Sequence, residues 1–324
     1  MEKVQASVII PAYNSHRTLH NAVEALLNQT VNNRLAEIII VDSSDDPMAL
    51  EQLKELGKNE KIRVITSGVR VMPAKQRNIG AEHAKSELLC FLDSDAYPEE
   101  EWIEKIIDIY SSGVHVGGGS YKIPEFQQDS KIAKAQYYLE FNEFMDVGKP
   151  RAKRLLPSCN LFCQKDFFHK LEGFPEIRAS EDTLFGLKVN NHSKMMFFPE
   201  ISVYHIFRDN AEHYYKNQVL LGKYIFIYRK YFYKSIYYKG ILPYLLFPAF
   251  ILIKLIRILI RIFSAGSKII ADFLPVTGLF FAGLYHWSRG FWKGIGEYHE
   301  EKQVFLENTG FIESRGKNRE KVLN

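Results

Sequence analysis

Apolar residues in the first hundred positions gather into short uniform runs, and the stretches between them repeat with helical spacing. Ser7-Val8-Ile9-Ile10-Pro11-Ala12-Tyr13-Asn14 reads as a strand broken at Pro11, followed by Leu19, Val23, Leu26 and Leu27 at helical intervals. Glu37-Ile38-Ile39-Ile40-Val41-Asp42 is a second strand. Asp42 to Pro47 reads as a turn and helix cap, and Met48 to Leu56 as a helix. Ile62 to Ile65 makes a third strand and Pro73 to Ala84 a helix. In the fourth strand, Leu88 to Asp95, five apolar residues run into Asp93-Ser94-Asp95, and Ala96-Tyr97-Pro98 is expected to stop it. Runs that do not alternate belong to strands buried on both faces, so the repeated strand–helix alternation predicts a doubly wound, mostly parallel sheet. Right-handed crossovers then bring Tyr13, Asp42, Asp93 and Asp95 to one edge, where open α/β sheets place ligands.

Beyond residue 100 the pattern is looser. A helix is expected over Glu100 to Tyr110, and a strand over Val114 to Val116 runs into Gly117-Gly118-Gly119. No Gly-x-Gly-x-x-Gly follows the first strand, which weakens a dinucleotide reading. The glycines either let backbone approach a ligand closely or form a flexible connection. Residues 125–150 read as one helix, Leu155 to Cys163 as an extended segment and Lys165 to Leu171 as a short helix. Another helix opens at Glu181-Asp182 with Ser180 as its cap, and Met195 to Phe198 and Val203 to His205 are two short strands.

Composition changes the picture mainly after His205. The chain of 324 residues is long enough for one large domain or two, and its net charge of +4 hides an asymmetry. Between His213 and Ala271 there are ten Lys/Arg and no Asp or Glu, with Tyr and Phe interleaved from Tyr214 to Tyr238. Gly240–Ile253 and Phe273–Ser288 carry no charged residue, yet each is shorter than the ~20 residues of a spanning helix. Between them Lys254, Arg257 and Arg261 form one stripe on a helix otherwise made of Ile and Leu, the pattern of a helix lying in a membrane interface and favouring an anionic leaflet. Single-stranded nucleic acid or an ordinary buried helical subdomain would account for parts of this; the adjacent apolar runs favour membrane, so no nucleic acid is expected. The organisation expected is 1–210 catalytic, 211–296 membrane-associating and 297–324 a polar, partly disordered tail. Cys90, Cys159 and Cys163 read as reduced structural thiols in a cytosolic setting, and no leader is expected ahead of the first strand.

Asp93 and Asp95 either end a strand and cap the next helix, or hold Mg²⁺ or Mn²⁺ against a diphosphate. Glu181 and Asp182 either complement a helix dipole or include a general base, and a lone histidine such as His205 is either structural or a ligand. Read together, Val8 to Asn14, Glu37 to Asp42, Ala74-Lys75-Gln76-Arg77-Asn78-Ile79-Gly80, Phe91 to Asp95 and Glu181-Asp182 resemble, in order, the motifs of family 2 glycosyltransferases of the GT-A fold, over about residues 5–207. The tail resembles, less specifically, the membrane-associating tails of many members.

The resemblance implies an α/β GT-A (Rossmann-like) domain with helices on both faces of a mixed sheet, plus a C-terminal α-helical region. It implies that Pro11, Ala12 and Tyr13 lie against a nucleotide base that Asp42 binds, that Arg77 reaches the nucleotide, and that Asp93 and Ser94 face the ribose and sugar. Asp95 would bind a divalent cation, His205 would complete the metal site, and Asp182 would be the general base. Two departures stand out: Asp42-Ser43-Ser44-Asp45 replaces the usual Asp-Asp-Gly-Ser, and no Gln-x-x-Arg-Trp follows Asp182, so single additions are expected. The activity implied is inverting transfer from a UDP- or GDP-sugar to a lipid-linked or cell-envelope glycan hydroxyl, at the cytoplasmic face of the cell membrane. A polyprenyl-phosphate glycosyl synthase, whose anionic acceptor needs no base, and a non-catalytic nucleotide-sugar-binding module are the alternatives.

Overall fold

The computed structural model describes residues 4–177, 179–232 and 235–308. In chain order its elements are β1 (Ala6–Ala12), α1 (Leu19–Leu27), β2 (Leu35–Asp42), α2 (Pro47–Leu56), β3 (Ile62–Thr66), α3 (Pro73–His83), β4 (Leu88–Leu92), β5 (Ala96–Pro98), α4 (Trp102–Ser111), β6 (Val116–Lys122) and α5 (Lys131–Glu140). There follow β7 (Arg151–Lys153), β8 (Asn160–Gln164), α6 (Lys165–Lys170), α7 (Glu181–Asn190), β9 (Met195–His205), α8 (Ala211–Phe232), α9 (Leu242–Leu245), α10 (Phe247–Ser264), α11 (Ser267–Phe273) and α12 (Thr277–Asn308). They group into two compact units, Met1–Lys122 with Asp146–Ile206, and Ile123–Met145 with Phe207–Asn324. Residues 123–145, which the local pattern assigned to the first domain, thus group with the C-terminal helices.

The first unit is built on a nine-stranded sheet ordered β3-β2-β1-β4-β8-β6-β9-β5, with β7 on β9. Strands β3, β2, β1 and β4 are parallel, as their uniform apolar runs predict; every residue of β1 and β4 is buried. Beyond β4 the sheet becomes mixed: β8 is antiparallel to β4 and β6, β6 and β9 are parallel, and β5 and β7 run antiparallel to β9. Pro11 is tolerated inside β1 because β4 pairs with β1 only as far as Ile9, opposite Phe91, so the missing N–H breaks no ladder there.

Several local expectations change. Ala96 to Pro98 forms the edge strand β5 on β9, and β9 is one strand where two were expected, because Pro199 and Glu200 interrupt its apolar pattern without ending it. The glycine run is neither a ligand cradle nor a flexible link. It lies buried within β6, where a Cβ on Gly118 would strike the Asn160 carbonyl and one on Gly119 the Ile201 carbonyl. Close approach between strands is therefore what demands glycine, and Gly119 sits where the β6–β9 register shifts. Between 125 and 150 only α5 is an α-helix.

In the second unit α12 packs along α8 so closely that a Cβ on Gly222 would meet the Trp287 carbonyl and one on Gly290 the Val219 carbonyl. The α5 segment supplies the acids that residues 213–271 lack. Glu143 binds Arg261 at 2.5 Å and Arg257 at 3.7 Å, Asn142 accepts from Arg261 Nη1 at 2.8 Å, and Glu140 accepts from Asn217 at 3.0 Å and from Gln218. This reciprocal charge is the physical reason 123–145 joins the tail. Of the basic stripe, Lys254, with Nζ 4.4 Å from the Trp287 ring centroid, and Arg261 are accordingly engaged within the unit, while Arg257 keeps the outward orientation expected from the sequence. The apolar run 273–288 lies within a longer helical stretch, Ser267–Tyr298, which is long and apolar enough to cross a membrane by length and composition. The expected polar tail is helical from 297 to Asn308; residues 309–324 lie outside the described residues.

Candidate active site

The carboxyl ends of β1, β2 and β4 lie together because the strands are parallel and in register, with Ala12 opposite Asp42. Asp42 is fully buried, and its carboxylate accepts from Ser44 N at 3.0 Å and from Ser44 Oγ at 2.5 Å. The Ser43-Ser44 departure therefore closes an Asx turn on Asp42 itself. Asn14, with φ of +51°, ties the β1 loop to this turn. It receives Asp45 N and Asp46 N on its Oδ1, each at 3.1 Å, and donates to Asp45 at 2.7 Å. Asparagine is among the few non-glycine residues that adopt this backbone readily. The Tyr13 hydroxyl donates to Asp45 at 3.4 Å, and the Arg70 guanidinium covers the Tyr13 ring at 4.3 Å.

Helix α3 delivers two buried side chains to the same edge. Gln76 donates to the carbonyls of Ala12 and Val41 at 2.7 and 2.9 Å, locking β1 to β2 at their ends. Arg77 is only 3% exposed and bridges two acids: Nη2 binds Asp93, in the turn after β4, and Nη1 binds Glu181 at the start of α7 at 3.2 Å. Asn78 pins the chain leading toward α7 through a reciprocal pair with Phe174, 2.8 and 2.9 Å. Ser94 Oγ lies 2.8 Å from Ser15 Oγ, which joins the acidic turn to the β1 loop.

Burial works against the Arg77 guanidinium, and the carboxylates of Asp93 and Glu181 more than offset it, holding it above its ordinary value. Burial, then the neighbouring Asp182, pushes Glu181 up to about 7 against the pull of Arg77. Burial also raises Asp182, partly offset by Thr183. Asp182 Oδ1 accepts from Thr183 N at 2.6 Å and Thr183 Oγ1 at 3.2 Å. Ser180 does not cap α7 through its side chain; it holds a left-handed backbone with φ of +72°, a strained conformation for serine and one that clusters at functional sites.

Asp95 and His205 meet because β5 pairs with the end of β9; Asp95 Oδ1 is 3.7 Å from His205 Nε2. Among the described residues no group of three or more His, Cys, Asp and Glu could hold a metal ion. A carboxylate oxygen and an imidazole nitrogen nevertheless fit a hard divalent cation that takes its remaining ligands from phosphate and water. Asp93 is turned to Arg77 instead.

The structure thus gathers Pro11, Ala12, Tyr13 and Asp42 at the ends of β1 and β2. Arg77, Asp93, Glu181 and Asp182 gather around one guanidinium, and Asp95 and His205 lie on the strand pair beyond. Local pattern assigned no site role to Asn14, Arg70, Gln76 and Asn78, and it gave Glu181 a helix-dipole role or a place beside a general base, not a bond to Arg77. Gln76 and Asn78 stand inside the quoted Ala74–Gly80 motif, where a run of polar residues on a buried helix was the available signal.

A sheet whose parallel half ends in an Asp-x-Asp turn, and whose mixed half closes on it, is a GT-A fold. Residues 7–169 match the family described as Glycosyl transferase family 2. The chain belongs to that family. Glycosyltransferase AglE of Haloferax volcanii is 25% identical over 171 residues, covering 52% of this chain and 55% of that protein. Poly(ribitol-phosphate) beta-N-acetylglucosaminyltransferase TarP of Staphylococcus aureus is 34% identical over 117 residues, 35% of this chain and 33% of that one. The chain spans about half or less of the length of the curated relatives it matches. A crystal structure of S. aureus TarS 1-349 in complex with UDP-GlcNAc superposes with a TM-score of 0.51 at 17% identity, covering 92% of each chain. GalNAc-T7 with UDP, GalNAc and Mn²⁺ gives 0.54 at 18% identity over 70% of this chain and 50% of that one. At these identities the likeness is one of fold.

Proposed function

We propose that this glycosyltransferase moves a sugar from a nucleoside-diphosphate donor to a hydroxyl of a lipid-linked or cell-envelope glycan, by single displacement with inversion, at the cytoplasmic face of a membrane. The observation that carries the reading is the Arg77 bridge, which joins the acidic turn after β4 to the Glu181-Asp182 start of α7. Relatives named for teichoic acid and amylovoran synthesis support an envelope acceptor, and neighbouring structures in complex with UDP support a UDP donor.

In this reading Pro11, Ala12, Tyr13 and Asp42 hold the base, with Arg70 closing over Tyr13. Arg77 orients Asp93, which with Ser94 faces the ribose and sugar. Asp95 and His205 would hold Mn²⁺ or Mg²⁺, which supplies charge neutralisation at the diphosphate leaving group. Asp182, made more basic by burial, takes the proton of the acceptor hydroxyl as it attacks the anomeric carbon. With no acid or base needed on the leaving-group side, one carboxylate on the far face gives inversion.

The test is calorimetric binding of UDP- and GDP-sugars with and without Mn²⁺. At least one donor is expected to bind in a metal-dependent way, and Asp95→Ala should weaken that binding at least about tenfold while Asp95→Glu retains part of it. Equal binding with chelator present, or an unchanged Asp95→Ala, removes the metal assignment. Metal-dependent binding with no transfer to any acceptor would make the chain a nucleotide-sugar-binding module.

A further inference from the structure

Helix α10 is amphipathic in the opposite sense from a surface helix of a soluble protein. Its buried line is Ile258 and Ile262, accompanied by Lys254 over Trp287 and by Arg261 on Glu143 and Asn142. Its outer line is Leu252, Ile253, Ile256, Ile260 and Phe263, between 45% and 61% exposed. Over 18 residues, about 27 Å of helix, that line carries only Arg257 at its flank. Exposed aromatics, Tyr237, Tyr244, Tyr285 and Trp292, belong to the same unit.

We propose, building on the membrane reading above, that α10 inserts its outer apolar line among the acyl chains of one leaflet, lying in the membrane plane, while Lys254 and Arg261 of its cationic stripe stay engaged with Trp287 and Glu143 and not with lipid phosphate. Two observations select this occupant. A line of large aliphatic residues with Tyr and Trp exposed in the same unit suits the boundary between acyl chains and headgroups. A spanning arrangement of Ser267–Tyr298 would carry into hydrocarbon the partner helix α8, with Lys216, Lys223, Arg229 and Lys230, because α12 packs along it. Attachment is therefore driven by apolar area, and salt and anionic lipid play little part.

The experiment is flotation of the full chain, diluted from detergent, with vesicles of phosphatidylcholine alone or mixed with phosphatidylglycerol, at 0.1 and 1 M NaCl. Both vesicle types should bind to within about threefold of each other, with little loss at high salt. The double variant Ile256→Ser/Ile260→Ser should lower binding on the order of tenfold or more, with unchanged circular dichroism because both positions are exposed. Arg257→Gln should change it less than twofold. Trp292 fluorescence should be quenched by lipids brominated near the headgroup more than by those brominated at the chain end. Binding that needs phosphatidylglycerol, vanishes in salt and ignores the serine pair overturns the insertion mode but leaves membrane association standing. No binding to any vesicle removes the membrane reading itself, and a dimer that the serine pair dissociates assigns the face to a second copy.

Discussion

Replacing Arg77 with methionine keeps most of the side-chain volume and removes the charge that two carboxylates share. The guanidinium is 3% exposed, while Asp93 and Glu181 are 28% and 17% exposed, so water can solvate Asp93 in part and Glu181 hardly at all. Removing one partner of a buried charge pair costs about 3–5 kcal/mol, because the remaining charge stays unanswered. The cost depends on pH, since Glu181 is held near 7 already. Its folded pKa lies above its unfolded value of about 4.5, so its favourable contribution is complete below about 4.5 and is lost as pH rises through 7; a shift of that size is on the order of 3 kcal/mol. Without Arg77 the carboxyl titrates higher still, and the loss from Arg77→Met should grow between pH 5.5, where Glu181 is largely protonated, and pH 8. We expect about 1–2 kcal/mol at the lower pH and about 3–4 kcal/mol at the higher. Urea unfolding in a chelator, read from Trp102 in a Trp287→Phe/Trp292→Phe background, measures this; Trp102 is fully buried and its Nε1–H donates to Asn160 at 2.9 Å. Equal losses at both pH values, or a loss under about 1 kcal/mol at pH 8, would refute the bridge.

Two further predictions probe the scaffold. Gly119→Ala should cost about 3 kcal/mol or more, or prevent folding, because its Cβ would strike the Ile201 backbone, which has no rotamer with which to yield; the urea midpoint of the first unit checks it. Asp46→Ala should cost about 1 kcal/mol by the same measurement, since Asp46 Oδ1 accepts from Met48 N at 2.8 Å and Ala49 N at 3.2 Å as the cap of α2, and Asp46→Asn should restore most of it.

The parallel half of the sheet is legible because its strands are saturated with apolar residues, and acids at the end of such a strand stand where open α/β sheets place their ligands. Leu88 to Leu92 followed by Asp93-Ser94-Asp95 shows this most plainly. What local pattern missed depends on partners distant in sequence. Three residues, Ala96 to Pro98, are too few to show periodicity, and only pairing with His205 and its neighbours makes them a strand. The glycines of β6 looked like a loop because the carbonyls that require them, Asn160 for Gly118 and Ile201 for Gly119, lie 42 and 82 residues away. The orientation of α10 could not be read either: a basic stripe on an apolar helix points to water or inward according to where the acids are, and Glu143 stands over a hundred residues earlier. Around the site the carboxylates were legible as types. The Arg77 bridge to Glu181 was not, because a helix-dipole role explains an acid at that position equally well.

In the proposed mechanism Asp182 acts on the acceptor and the remaining carboxylates on the donor. The decisive variant is Asp182→Asn, with donor binding measured by calorimetry and nucleoside diphosphate release measured in the presence of a hydroxyl acceptor and Mn²⁺. Donor affinity is expected within about threefold of the parent and transfer lower by about 10²- to 10⁴-fold, the usual worth of a positioned general base. Full transfer by the variant would contradict it and favour an acceptor that is already an anion, and a parallel collapse of donor binding would place Asp182 on the nucleotide side.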